Sequence, residues 1–398
     1  MNRTFDAKTV EEEKQPKPFK DLRITLLDGH ARQILPMAKA LKALGCSVTA
    51  FYASKWDLGN NSRWIDRRLR GPKAVSDPSG FLESLTKHLK EDECDLVIPL
   101  LDDSSAITAE NKHLLSQYAR IAVNDPLVFV KARDKLLTMQ ACADVGVPMP
   151  RTILSESPST DIPGWQISFP VVVKPRRSYG AIGFSRVNTP SEVSAIIRRT
   201  EERYGPVLVQ EYIPQSGLQY KAELMMSESG IAKAAVVFSK IRWYPVEGGS
   251  STLNVTVYRP DIVEICVRLL RHLGWVGYAD VDLIEDPRDN QPKVMEINPR
   301  ITGSVKIAFE AGVNFAELVV RQYLGQDVPA RLDYREGIYL RYLLPDILWF
   351  MKSPTRFSCS PSWFNFRNTT DQIFSYDDPR SGITYCIQSL IRLLRERR

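Results

Sequence analysis

The chain has 398 residues, more than one ordinary core accommodates, so two or three domains are expected. Its apolar and charged fractions, 43% and 25%, are those of a globular protein, and its net charge of +6 is spread over interspersed opposite signs, which argues against a dedicated nucleic-acid surface. The six cysteines are widely spaced with no C-x-x-C pair, no apolar run reaches spanning length and the N-terminus lacks a secretory signal, so neither zinc nor a disulfide framework is signalled and a cytoplasmic protein is expected.

Residues 1–19 read as a flexible polar lead-in, and 20–125 as a small doubly wound domain. Apolar runs at 22–27, 46–52, 95–101 and 120–123 alternate with helical spacing at 33–44, 81–90 and 105–118, the pattern of a parallel sheet. No G-x-G-x-x-G follows the first strand, so no dinucleotide site is claimed, and His30 reads as a loop residue. Asp102 and Asp103 follow a strand end, where open sheets place ligands, but helix capping is the preferred reading, with substrate contact second.

Residues 126–206 form the next unit. A helix over 132–144 carries Lys135, stops at Gly146 and leaves as V-P-M-P; by spacing alone Lys135 is a solvated residue. The segment 169–187, FPVVVKPRRSYGAIGFSRV, is a buried-type strand ending in Lys174, whose ammonium should meet an anion because burying it unpaired is costly. The following loop offers Ser178, Gly180 and Gly183, either as a phosphate-closing loop or as a plain hairpin; it is not a Walker A loop.

In 207–328, the strand 207–213 meets polar residues at its exit. Lys240 and Arg242, with Gly248 and Gly249, make a cationic loop that suits either a substrate carboxylate or solvent. The segments 278–284, YADVDLI, and 293–304, KVMEINPRITGS, alternate as strands around the turn-forming DPRDNQP. A loop centred on Asp289 sets Asp282 opposite Glu296 and Asp280 opposite Asn298, with Cβ atoms about 5 Å apart. Three carboxylates on one face repel unless compensated, and a divalent cation shared with phosphates is the cheapest compensation; a solvated acidic hairpin is the alternative. Arg300, fixed beside the acids by Pro299, favours the first reading. The extension 329–398 ends in a segment, 383–394, that pairs leucines with arginines. It is read as a basic helix packed on its own body, with a membrane surface as the less favoured alternative.

Four motifs occur in one order: the Lys135 helix followed by G-V-P-x-P, the Lys174 strand with its glycine-containing loop, the strand through Gln210, and E-x-N-x-R at 296–300. Together they resemble the ATP-grasp superfamily over about 22–328, and within it single-module relatives of the carbamoyl phosphate synthetase large chain and D-aspartate ligase. The resemblance implies an α/β ATP-grasp fold: a pre-ATP-grasp domain at 20–125, a small lobe with a lid at 126–206, a metal-binding lobe at 207–328 and a C-terminal extension at 329–398. It also implies an ATP-dependent carboxylate–amine ligase that forms an amide through an acyl phosphate. In that scheme Lys135 and Lys174 meet the α- and β-phosphates, Ser178, Gly180 and Gly183 form the lid, and Gln210, Glu211, Tyr212 and Ile213 hold adenine. Asp282, Glu296 and Asn298 hold Mg²⁺ or Mn²⁺, and Arg300 stabilises the transferring phosphoryl group. Gln215, Gln219 and Lys221 stand where a ribose-binding acid is expected. A bicarbonate-using carbamoylating or carboxylating enzyme and a non-catalytic nucleotide sensor are the alternatives; intact Glu296, Asn298 and Arg300 argue against the sensor. The expected partners are small carboxylates and amines, with no nucleic acid.

Overall fold

The structure, a computed structural model, describes residues 18–155, 167–178, 182–246 and 249–396. Near the N-terminus, strands β1 (Arg23–Leu26), β2 (Ser47–Tyr52), β3 (Arg67–Arg70), β4 (Leu96–Ile98) and β5 (Arg120–Ile121) form a parallel sheet in the order β3-β2-β1-β4-β5. The apolar runs predict β1, β2, β4 and β5. Strand β3, RRLR, escapes that reading because it lies at a sheet edge, where arginines meet water and no apolar run is required. The helix Asp102–Glu110 is capped by neither Asp102 nor Asp103. Asp28, at the end of β1, reaches across the sheet to accept hydrogen bonds from Leu100 N (3.1 Å), Leu101 N (3.0 Å) and Ser104 Oγ.

A second, three-stranded antiparallel sheet contains β6 (Val171–Pro175), β7 (Ser185–Val187) and β8 (Val207–Glu211) in the order β7-β6-β8, backed by the helix Pro190–Tyr204. Strand β8 thus hydrogen-bonds within the small lobe, on the near side of the boundary that the sequence suggested at residue 207.

The largest sheet runs β13-β12-β9-β10-β11-β14-β15, from β9 (Gln219–Met226), β10 (Ala232–Tyr244), β11 (Ser250–Thr256), β12 (Gly277–Asp286), β13 (Gln291–Asn298), β14 (Tyr339–Arg341) and β15 (Thr369–Asp371). One face buries Ala222, Leu224 and Val237 with Ile262, Cys266 and Leu269 of the helix Pro260–His272. The other buries Met225, Val236 and Tyr278 with Phe315 and Leu318, and continues into Ile34, Met37 and Leu41 of the first domain. With both faces covered, Lys221 and Glu223 stand out among the apolar residues of β9.

The C-terminal extension completes the large sheet with β14 and β15 and packs back on the body. Tyr385, in the helix Pro379–Glu396, is buried in the core shared with the first domain, and Asp378 accepts from Ser62 Oγ at 2.5 Å. Among the described residues, no helix is long and apolar enough to cross a membrane.

Arg242 explains how the extension is held. Its guanidinium forks onto Asp346, Nε to Oδ1 and Nη2 to Oδ2 both at 2.9 Å, and Thr252 Oγ1 donates to the same carboxylate at 2.8 Å. Arg242 is 3% exposed and Asp346 fully buried, so this arginine is a structural anchor and not the substrate contact expected from the sequence. Removing one partner of such a pair leaves a buried, uncompensated charge. Asp346→Ala should lower unfolding stability by about 3–5 kcal/mol in urea titration. A loss below about 1 kcal/mol, as at exposed pairs, would show that Arg242 reaches water instead.

Candidate active site

The β12–β13 hairpin sets the site's register. Asp280 pairs with Asn298 and Asp282 with Glu296, as the alternation predicts. Beyond Asp282 the register shifts, Leu283 pairing with Val294, so Met295 is a bulge. Met295 and Glu296 consequently line one cavity while Val294 and Ile297 stay in the core, which breaks the strict alternation expected for this strand.

On its other edge, β12 pairs with β9, bringing Lys221 opposite Asp282 and Glu223 opposite Asp280. Lys221 Nζ bridges Asp280 Oδ1 and Asp282 Oδ2 (3.1 Å to the latter), and Lys240, from β10, closes on Asp282 Oδ1. Asn298 Nδ2 donates to Asp280 Oδ1 at 2.9 Å and Asp282 Oδ2 at 2.8 Å. The compensation that sequence reasoning gave wholly to a cation is supplied here by two lysines from neighbouring strands. Sequence distance hid them, although Lys221 and Glu223, the two charged residues alternating in QYKAELMM, were the available signal.

These neighbours separate the acids. Burial alone would raise the Asp282 carboxyl, but the ammonium groups of Lys221 and Lys240 outweigh it and hold that carboxyl far below the usual carboxylate range. Asp280 is raised, first by its burial, despite Lys221. Glu223 is buried and pushed up to about 8, by desolvation and then by Asp280, and accepts from Thr302 Oγ1 at 3.1 Å. Asp282 and Glu296 are therefore the acids that face the cavity.

No group of three or more His, Cys, Asp or Glu side chains among the described residues is arranged to hold a metal alone. Asp282, Glu296 and the Asn298 amide offer two carboxylates and one neutral oxygen. That set fits a hard cation that completes its shell with phosphate oxygens and water.

A cationic side faces the acids. Lys135 is 6% exposed, so the helix buries it where spacing alone had suggested solvation. Its Nζ donates to the Ser178 carbonyl at 2.6 Å and pairs with Glu296 Oε2 at 3.2 Å, linking the root of the loop to the acidic strand. Lys174 ends β6 beside it; burial, then the Lys135 charge, lower its ammonium to about 8. Lys135, Lys174 and Ser178 all line the cavity. Gly183 adopts φ +73°, and a Cβ there would strike Pro175 and Tyr204, so it serves the turn. Gly180 lies outside the described residues.

The strand exit expected to hold adenine is only partly open to the cavity. Tyr212 lines it, with the Arg186 guanidinium 4.3 Å from its ring centroid. Gln210 instead donates to Thr152 Oγ1 at 2.8 Å, Glu211 binds Arg151 N at 2.8 Å and Arg288 Nη2 at 2.9 Å, and Ile213 is 3% exposed. Those three brace the strand by their side chains. Gln215 and Gln219 line the cavity and hydrogen-bond to each other at 2.7 Å.

Arg300 lines the same cavity, and its Nε donates to Asp102 Oδ2 at 2.7 Å. Asp102 is thus not the cap; its carboxylate orients Arg300 from the first domain. Lys240 lines the cavity with its ammonium on Asp282. Arg32, Trp243 and Gln372 also line it, from three distant segments that carry no motif.

The cavity measures about 610 Å³. A larger one of about 860 Å³ lies between the helix Ile34–Leu44 and the C-terminal extension, lined by residues such as Trp64, Phe309 and Phe374. It has none of the facing acids and lysines described above, so the chemistry selects the smaller cavity.

A family profile described as an ATP-grasp domain matches residues 132–304, the segment from the Lys135 helix through the loop after Arg300. D-alanine–D-alanine ligase of Carboxydothermus hydrogenoformans is 27% identical over 210 residues, covering 47% of this chain and 67% of its own length. D-aspartate ligase of Enterococcus faecium is 23% identical over 271 residues, covering 60% and 62%. The ribosomal protein bS6–L-glutamate ligase of Escherichia coli is 27% identical over 240 residues, covering 57% and 75%. This chain therefore spans between 62% and 75% of these relatives' own length. Among solved structures, biotin carboxylase from Campylobacter jejuni, as a β,γ-ATP complex, superposes with TM-score 0.69 at 13% identity over 80% of this chain and 74% of its own. L-amino acid ligase from Bacillus licheniformis superposes with TM-score 0.59 at 20% identity, covering 76% and 75%. The sheet order, the facing lysines and acids, and these similarities agree: residues 132–304 form an ATP-grasp domain.

Proposed function

We propose that the protein is an ATP-dependent carboxylate–amine ligase. The observation that carries this reading is the convergence, in one cavity, of Lys135 and Lys174 with Asp282, Glu296, Asn298 and Arg300. Relatives named as ligases for D-alanine, D-aspartate and L-glutamate support it.

In this reading the triphosphate lies between the lobes. Lys174 and Lys135 meet α- and β-phosphate oxygens, and Asp282, Glu296 and Asn298 supply protein oxygens to magnesium, which when bound offsets charge on the β- and γ-phosphates. Arg300, aimed by Asp102, stabilises the charge on the γ-phosphoryl group as a substrate carboxylate oxygen attacks phosphorus and ADP leaves. The resulting acyl phosphate is attacked by an amine at the acyl carbon. The C–O bond to phosphate breaks, phosphate leaves with the electron pair, and the amine nitrogen gives up a proton to form the amide.

ADP release should be measured with magnesium, ATP and a panel of carboxylates, amines and bicarbonate. The ligase requires a carboxylate and an amine together; turnover on bicarbonate alone, or none on any pair, would contradict it. Glu296→Gln should leave the melting temperature in place and reduce magnesium-dependent turnover by about 100-fold or more. An unchanged rate would remove Glu296 from the metal set.

Lys174 predicts a pH dependence. Its ammonium is protonated below about 8 and loses its charge above it. A bound triphosphate stabilises the protonated form, so the apparent affinity for ATP is full below pH 8 and falls, by up to about tenfold per unit, as pH rises beyond it. Lys174→Met should bind ATP more weakly and flatten that slope. A wild-type profile flat from pH 7 to about 9.5, with Lys174 near its ordinary charge state throughout, would contradict the assignment.

A further inference from the structure

We infer that Arg32 is the docking point for the free carboxylate of the amine substrate, which makes that substrate an amino carboxylate. This rests on the ligase reading above and names one of its two substrates.

The other cations on the large-sheet side of the cavity already hold carboxylates: Lys221 and Lys240 hold Asp282, and Arg300 holds Asp102. Arg32 lines the same cavity and makes no ion pair with any described residue. It is nevertheless fixed in place. Its guanidinium lies 4.6 Å from the Tyr342 ring centroid, and Tyr385 donates a hydrogen bond to the Tyr342 hydroxyl. The neighbouring Gln33, 3% exposed, donates to the Ile301 carbonyl at 3.1 Å, clamping this turn of the first domain to the loop after Arg300.

Gly303 gives Arg32 its place. A Cβ at 303 would overlap Nε, Cζ and Nη2 of Arg32, so the missing side chain is the space the guanidinium occupies. Gln372, from the C-terminal extension, donates to the Gly303 carbonyl. First domain, catalytic loop and extension thus meet at one oriented, uncompensated guanidinium.

A guanidinium stacked by its face on an aromatic ring keeps its edge N–H groups for in-plane bonds, the geometry that matches a carboxylate bidentately. The chemistry gives such a fork a purpose. In joining an amino carboxylate, one carboxylate must reach the phosphoryl group while the other must not, and a cation that holds the second leaves its amine free to attack. Arg32 lies against Gly303, three residues past Arg300, on the loop side of the cavity.

The test compares α-amino acids with their own carboxamides as amine substrates in the ADP-release assay, for wild type, Arg32→Met, Arg32→Lys and Gly303→Ala. Wild type should prefer each acid over its amide. Arg32→Met should raise KM for the acid about 100-fold while KM for ATP stays within about threefold, and should abolish the preference for the acid. Arg32→Lys should recover part of the loss. Gly303→Ala displaces only the flexible end of Arg32 and should lose the same preference with the arginine still present. ATP-induced thermal stabilisation, retained in each variant, shows that the fold and nucleotide site persist. Amine-dependent turnover with equal use of acid and amide by wild type would overturn the Arg32 assignment and leave the ligase reading standing. So would an Arg32→Met effect confined to KM of the donor carboxylate. Absence of any amine-dependent turnover would overturn both.

Discussion

A full negative charge on Asp282, in a cavity wall that excludes most water, is the constraint around which this protein is built. It is tolerable because Lys221 and Lys240 approach it from strands β9 and β10 and Asn298 donates to it from β13. That requirement runs across the sheet: β12 must lie between β9 and β13, and β10 must follow β9, for the four side chains to meet. The pairing is also reversible in principle, because an ammonium on a long stem can leave a carboxylate when a stronger cation arrives. In the ligase reading proposed above, a nucleotide-bound cation would take the place of these ammonium groups as the counter-charge to Asp282.

Around that wall, three parts of the chain contribute distinct tasks. The small lobe brings Lys135 and Lys174 and the loop rooted at Ser178. The first domain brings Asp102, which aims Arg300, and Gln33, which ties the turn after β1 to Ile301. The extension closes the cavity through Gln372 and Tyr342 and is locked to the large sheet by the Arg242–Asp346 fork.

The legible part of this architecture was local. Alternation along β12 and β13 gave the facing of Asp282 with Glu296 and of Asp280 with Asn298, because strand period and turn length determine both. The Lys174 strand, the lysine helix and the βαβ order followed from apolar runs and caps. What was hidden depends on contacts across long sequence distances. Nothing near Arg242 announces Asp346, 104 residues on, and nothing near Asp282 announces Lys240. The bulge at Met295 and the edge strand β3 were missed because alternation and apolar runs presume regular, buried strands. Gln210 and Glu211 sit on the expected strand, but their side chains turn to Thr152, Arg151 and Arg288, a choice set by packing.

The most direct test of the central claim is a crystal structure with a manganese nucleotide, locating the metal by its anomalous scattering. The account predicts manganese in contact with Asp282 and Glu296 oxygens at about 2.0–2.6 Å, bridged to the phosphates, with Lys240 withdrawn from Asp282. Manganese bound by phosphates alone, with Lys221 and Lys240 still closed on Asp282, would contradict it.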